Sequence, residues 1–358
     1  MNLFDVLARN AMLVECLKVD RHNSFVPVAK TLSKTIRSIL ADIGKPSIAE
    51  LNKLEMSRLL SDVSRSCWDQ LNAWNGEYTD YLSDLFETNM DLQKVLMASY
   101  MQADDKEDID VLSIGNANAY FRRRKERDEF VPFMGWHGLM QKGGYPFAES
   151  RLNGTPNPAT GQTMADMQQG TLGGIVAAIL NRIRRGATNA ETDAEITAAV
   201  VGSAAPDGST SELQRAQTNV NVMIDTTMQQ SVQSANRIVQ SAVSDRYQWI
   251  SVMDNRTSDI CRSLNLRVFE YGKGPLPPAH MRCRSHIMPY ISGEPAPDTS
   301  FFAWASDQPM VFIGRVFPRS VADTFANRTA RAADHPRYAA TRPMTLQEYS
   351  GSANITLS

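Results

Sequence analysis

Cysteine is scarce in this chain, with four in 358 residues (Cys16, Cys67, Cys261 and Cys283). So few, so scattered, do not frame a disulfide-stapled secreted fold. Long apolar runs are lacking too: none approaches the roughly 18 residues of a membrane span. Asp5 and Arg9 interrupt any signal-peptide core, so synthesis in a reducing cytosol is the expected setting. Net charge is nearly absent, at −2, which removes a global pull toward nucleic acid or membrane. Aromatics, at 8%, and hydrophobics, at 42%, are ordinary to slightly lean. The length still allows two or three domains with real cores.

Helical periodicity dominates the first two-thirds. Residues 1–110 carry an acidic excess and apolar residues at three- and four-residue steps, first Val28, Leu32, Ile36, Ile39, Leu40 and Ile43. Gly44-Lys45-Pro46 ends that pattern, and Ser47 with Glu50 has the spacing of a capping box. A longer stripe follows, from Leu59 to Phe86 through Val63, Trp68, Leu71 and Tyr78, which is bundle core. Cys16 and Cys67 fall in these patterns as buried thiols. Residues 111–160 combine a basic run, Arg122-Arg123-Arg124-Lys125 between Tyr120, Phe121 and Phe130, with a Gly/Pro-rich arm over 130–158. The basic run is either a nucleic-acid contact or a solvated helix face paired with Glu126, Asp128 and Glu129. Residues 161–243 return to helix, with an end expected at Gly186, a start at Thr192 or Asp193, a linker at 203–211, and a polar helix from Glu212 to about Val243. So polar a helix with few charges is expected to pack against others.

The stretch from Trp249 to Pro289 (WISVMDNRTSDICRSLNLRVFEYGKGPLPPAHMRCRSHIMP) concentrates the special residues. Trp249 to Met253 alternates like a half-buried strand, Asp254 to Ser258 reads as a turn or helix start, and Val268-Phe269 opens a second strand. Pro277-Pro278 predicts an extended approach to Ala279-His280-Met281-Arg282-Cys283-Arg284. Cys261, His280 and Cys283 are soft or borderline ligands, and His-x-x-Cys can point both donors at one place. Zinc would take Asp254 or His286 as a fourth ligand. The other readings are two buried thiols with a hydrogen-bonded histidine, or a Cys261–Cys283 disulfide formed after release into an oxidising medium.

The order Trp249, Asp254-x-Arg256-Thr257, Cys261, Val268-Phe269, Pro277-Pro278-x-His280-x-x-Cys283-Arg284 resembles the phage Mu F-like head morphogenesis family, the minor head proteins of tailed phages. The helices around Ile175–Val201 and the segment Trp304 to Pro309 resemble its layout more weakly. The resemblance implies a minor capsid component present in few copies, assembled in the host cytoplasm and carried in the virion. Its implied partners are the portal, other head proteins and packaged DNA. Many relatives have a Cys-x-x-Cys pair and end in Cys-Arg-Cys; here Ser258 and Ser285 occupy those extra positions.

Enzyme signatures are missing. A zinc deaminase needs His-x-Glu before Pro-Cys-x-x-Cys, and a zincin needs His-Glu-x-x-His; neither occurs. The C-terminal portion, with apolar clusters from Phe301 to Phe325 that close the motif domain, is too short for a toxin-like passenger. The expected architecture is α+β and predominantly α-helical. An N-terminal helical region (1–110) and a second one (161–243) precede a small mixed motif domain (244–325) and an extended tail (326–358). The expected function is structural, not enzymatic. A zinc-dependent nucleic-acid-binding or nuclease module is the alternative.

Overall fold

The computed structural model describes residues 3–104, 109–126, 161–202, 208–252 and 257–291. Among them the chain is predominantly helical with one small antiparallel sheet, as expected for a mostly helical α+β protein. The helices are α1 (Leu3–Ala41), α2 (Lys53–Gln102), α3 (Ile114–Glu126), α4 (Met164–Thr188), α5 (Asp193–Val201), α6 (Glu212–Gln240) and α7 (Asp259–Leu264). Strands β1 (Arg246–Ile250), β2 (Val268–Glu270) and β3 (His286–Pro289) form a sheet in the order β2-β1-β3. The arm at 130–158, most of the 203–211 linker, Asp254, Arg256, the segment Phe301–Phe325 with Trp304, and the 326–358 tail lie outside the described residues. The chain divides into two compact units.

One unit comprises Arg21–Asp80 and Thr163–Ile224. Phe25, Trp74 and Tyr78 make its aromatic centre: Phe25 meets Trp74 edge-on at 5.1 Å, and Trp74 stacks on Tyr78 at 5.2 Å. Cys67 is fully buried here, and desolvation pushes its thiol up to about 11. Two of the expected helix boundaries move. Ser47 caps only a single 3₁₀ turn, Ile48–Glu50, whose Ile48 amide is bound by Asp193 Oδ1 at 2.8 Å. The reciprocal cap lies at Asn52 instead: its Oδ1 accepts from Leu54 and Glu55 amides, and Glu55 Oε2 accepts from the Asn52 amide. Gly186 does not end α4, which runs to Thr188 and stops with Ala190 in the left-handed region (φ 54). The Glu191 amide reaches Gly186 O at 3.0 Å and the Ala190 amide reaches Ala187 O at 3.2 Å, a Schellman closure. Gly186 is small for a different reason: a Cβ there would lie 2.5 Å from Ile196 Cγ1 on α5. Thr192 caps α5 as expected, paired reciprocally with Glu195.

The other unit comprises Met1–Asp20, Tyr81–Gln162 and Asp225–Ser358. The polar helix packs as its composition predicts: Thr226, Thr227, Gln229, Gln233, Asn236 and Gln240 are buried. Their amides find partners, which is what burial of polar groups requires. Asn236 Oδ1 accepts from Asn89, Gln240 donates to Gln93, and Gln229 accepts from the buried Lys18 at 3.0 Å. Two glutamines of α6 also take up the outer edge of β3. Gln229 Nε2 donates to Ser285 O at 2.8 Å, and Gln233 Oε1 accepts from the Ile287 amide at 3.3 Å. Side-chain amides thus stand where a fourth strand would and pair part of that edge. The first strand is Arg246–Ile250, earlier than the expected Trp249–Met253, because pairing runs from Tyr247 opposite Pro289 to Ile250 opposite His286. Tyr247 and Trp249 are fully buried in it. The Pro277–Pro278 peptide is cis, in place of the extended approach expected; the trans preference before proline is small enough for context to override.

Candidate metal centre

Cys261, His280 and Cys283 converge. Their donor atoms all lie within 4.8 Å of one another. Each is set by its own local device. Ser258 caps α7, its Oγ accepting the Cys261 amide at 3.3 Å, and this fixes Cys261 at the inward face of the first turn. The flanking Ile260 faces out, 54% exposed. The His-x-x-Cys segment closes as a turn, with the Cys283 amide bound to His280 O at 3.2 Å and Arg282 in the left-handed region (φ 59). That uncommon conformation is held by α6: the Arg282 amide donates to Thr226 Oγ1 at 3.1 Å and its guanidinium pairs with Asp225 at 3.2 Å.

The histidine turns Nε2 toward the cluster. Its Nδ1 lies 2.7 Å from Met281 O, and a carbonyl only accepts, so Nδ1 carries the proton. Nε2 faces the cluster, 3.1 Å from Cys261 Sγ and 2.8 Å from Ser258 Oγ, and is the ring atom a metal would take. The two sulfurs are 3.7 Å apart. A tetrahedral ion with metal–sulfur bonds of about 2.3 Å sets two sulfurs about 3.8 Å apart, so the donor set fits such an ion. The pair titrates as one unit. Hydrogen bonding from the Cys283 thiol lowers Cys261 against the opposing effect of burial, with Ser285, Ser258 and His280 helping. Cys283 is held far above the ordinary thiol range by the same contact and by burial. Cys261 is thus the easier of the two to ionise, and metal binding would release the protons the pair holds.

Around the ligands, Trp249, Cys261 and Cys283 form one buried cluster, with Leu264, Phe269 and Ala279 packed against it. Trp249 Nε1 donates to Ser251 Oγ at 2.9 Å, and that hydroxyl donates to Cys261 O at 2.8 Å. The indole is thereby tied to the ligand's own backbone. A shallow cleft opens on one side, lined by Thr257, Ser258, Cys261, His280, Arg282 and Arg284.

The remaining sequence-selected residues separate into those placed at the cluster and those placed elsewhere. His286 does not join as a fourth ligand. It sits in β3 with Nδ1 2.7 Å from Gln233 Nε2, and burial beside Lys18 and Arg284 pushes its pKa down to about 3. Thr257 donates its hydroxyl to Val252 O and accepts Arg262 through its own carbonyl. Pro277 and Pro278 lead the chain into the His280 turn, and Arg284 is nearly buried beside the cleft. Far along the sequence, Arg122 and Arg123 are exposed on α3, whereas Arg124 donates to Ala242 O at 3.0 Å and Phe121 is buried. The Lys125 side chain lies outside the described residues. Sequence reasoning did not single out Ser251, Gln229 or Gln233. Nor did it assign Ser258 its capping role, for which the three-residue distance to Cys261 was the available signal; the glutamines carry no local signal.

Comparison with family models, curated proteins and solved structures returns no match. No helix among the described residues is long and apolar enough to cross a membrane. The arrangement itself can do one thing plainly: two thiols and an imidazole base in a packed pocket can hold a metal ion.

Proposed function

We propose that this chain is a minor head structural protein of a tailed bacteriophage, acting in head morphogenesis beside the portal and the packaged DNA. In this reading zinc, held by Cys261, His280 and Cys283, fastens α7 and the His280–Cys283 turn against β1. The observation that carries it is the use made of the motif residues. Trp249, Cys261 and Cys283 are packed together as a buried knuckle, with Phe269 against them, which gives these residues a structural use. Zinc suits the donors, since thiolate sulfur and imidazole nitrogen are ligands it takes. The coordination then needs a fourth ligand; Asp254, the candidate from the sequence, lies outside the described residues.

Mass spectrometry of purified phage particles tests the proposal. The chain should be present in mature heads at a few copies, alongside the portal, and a phage lacking it should assemble defective heads. A chain that stays in the lysate and never enters particles contradicts it.

A second reading, a zinc-dependent nucleic-acid-binding or nuclease module, is favoured by Arg282 and Arg284 lining the cleft beside the ligand group, and by the exposed Arg122 and Arg123. It requires DNA affinity that falls steeply with salt and that disappears in a His280→Ala, Cys283→Ser variant.

A further inference from the structure

We propose that Cys261 and Cys283 also constitute a thiol-oxidation site, a dithiol that hydroperoxides convert to a disulfide that cannot hold metal. The sulfurs stand 3.7 Å apart; an approach of about 1.7 Å brings them to disulfide bonding distance. Access to the two is unequal. Cys261, itself only 2% exposed, lines the cleft with Ser258 and His280, whereas Cys283 does not line it and is fully buried. Cys261 is therefore the sulfur an incoming oxidant meets, and Cys283 the one that resolves the product.

The chemistry closes in two steps. The Cys261 sulfur takes one peroxide oxygen as the O–O bond breaks, giving a sulfenic acid and one water (an alcohol from an alkyl hydroperoxide). The Cys283 sulfur then attacks Cys261 Sγ, the S–O bond breaks, and hydroxide leaves with the Cys283 proton as a second water. Two electrons pass from the two sulfurs to the peroxide. The disulfide has no thiolate to offer, and His280 alone retains no ion of this class. This last consequence rests on the metal-holding reading; the dithiol chemistry rests on the two sulfurs alone.

The experiment treats the full-length protein, zinc-loaded and chelator-stripped, with hydrogen peroxide. Remaining thiols are alkylated, peptides are mapped by mass spectrometry, and released zinc is followed with a chromogenic chelator. The expected result is loss of two hydrogens per chain and a Cys261–Cys283 linked peptide, with Cys16 and Cys67, both fully buried in α1 and α2, still alkylated after unfolding. One zinc should leave per disulfide formed, and dithiothreitol should reverse both changes. In Cys283→Ser the sulfenic acid should accumulate at Cys261 and be trapped by dimedone. A linked peptide in a protein that never took up zinc sustains the dithiol and overturns the metal reading instead. Oxidation of Cys261 to sulfinic acid with Cys283 still a thiol, or equal oxidation of all four cysteines, overturns the proposal.

Discussion

Acid should destabilise this protein through one residue, His286. The hydrogen-bond roles around it are fixed: Gln233 Oε1 accepts from the Ile287 amide, so the same side chain turns its NH₂ to His286 Nδ1 at 2.7 Å. Nδ1 must be an acceptor, and a protonated ring would set two donors face to face. Burial is the largest cause of the depressed pKa of about 3, with the Lys18 and Arg284 cations adding to it. In the unfolded chain the ring takes a proton near its ordinary 6.5. Between those values the unfolded state binds the extra proton, so stability falls as pH drops from 6.5 toward 3. Integrated from pH 7 to pH 5, this one group removes about 2 kcal/mol. Urea unfolding of wild type and His286→Gln at several pH values isolates the effect, because the other titrating groups are common to both. Wild type should lose about 2 kcal/mol more than the variant over that interval. Gln233→Glu, which faces the ring with a carboxylate, should reverse the sign by favouring the imidazolium in the fold. Parallel loss of stability in wild type and His286→Gln would refute the reasoning.

Gly274→Ala should destabilise the sheet by about 1–3 kcal/mol in denaturant unfolding, the usual cost of overpacking. Its Cβ would lie 2.4 Å from Phe269 Cβ and 2.6 Å from the Tyr247 hydroxyl. Because Phe269 packs on the Trp249–Cys261–Cys283 cluster, metal affinity should fall with it. Two alanine substitutions in α4 should have opposite signs. Gly170→Ala, with nothing within 4 Å, should stabilise by up to about 1 kcal/mol. Gly186→Ala, 2.5 Å from Ile196 Cγ1, should lose more than that helix gain through overpacking. Removing metal by chelation should leave far-UV circular dichroism almost unchanged while proteolysis within residues 257–291 accelerates, since only the six-residue α7 among the helices belongs to the knuckle.

Much of this was legible in the residues. Helical periodicity placed the buried faces through Leu32, Ile36 and Val63, and Cys16 and Cys67 fell inside the core as their neighbours required. Cys261, His280 and Cys283 were legible as a group because their donor types and the two-residue His-x-x-Cys spacing are local; the Ser258 cap that sets Cys261 was not read. What stayed hidden depends on tertiary partners. The helix start moved from Ser47 to Asn52 because Asp193 binds the Ile48 amide. Gly186 looked like a helix end but serves a close approach by Ile196. His286 carried the chemistry of a ligand, yet Gln233 of α6 takes its ring nitrogen. No periodicity announces that glutamines will complete a sheet edge.

Zinc K-edge X-ray absorption on the purified full-length protein tests the central claim most directly. It should find one zinc per chain with two sulfur ligands and at least one imidazole nitrogen, and Cys283→Ser should lose the sulfur pair. A metal-free protein, or a zinc shell that is unchanged in Cys283→Ser, would contradict the account.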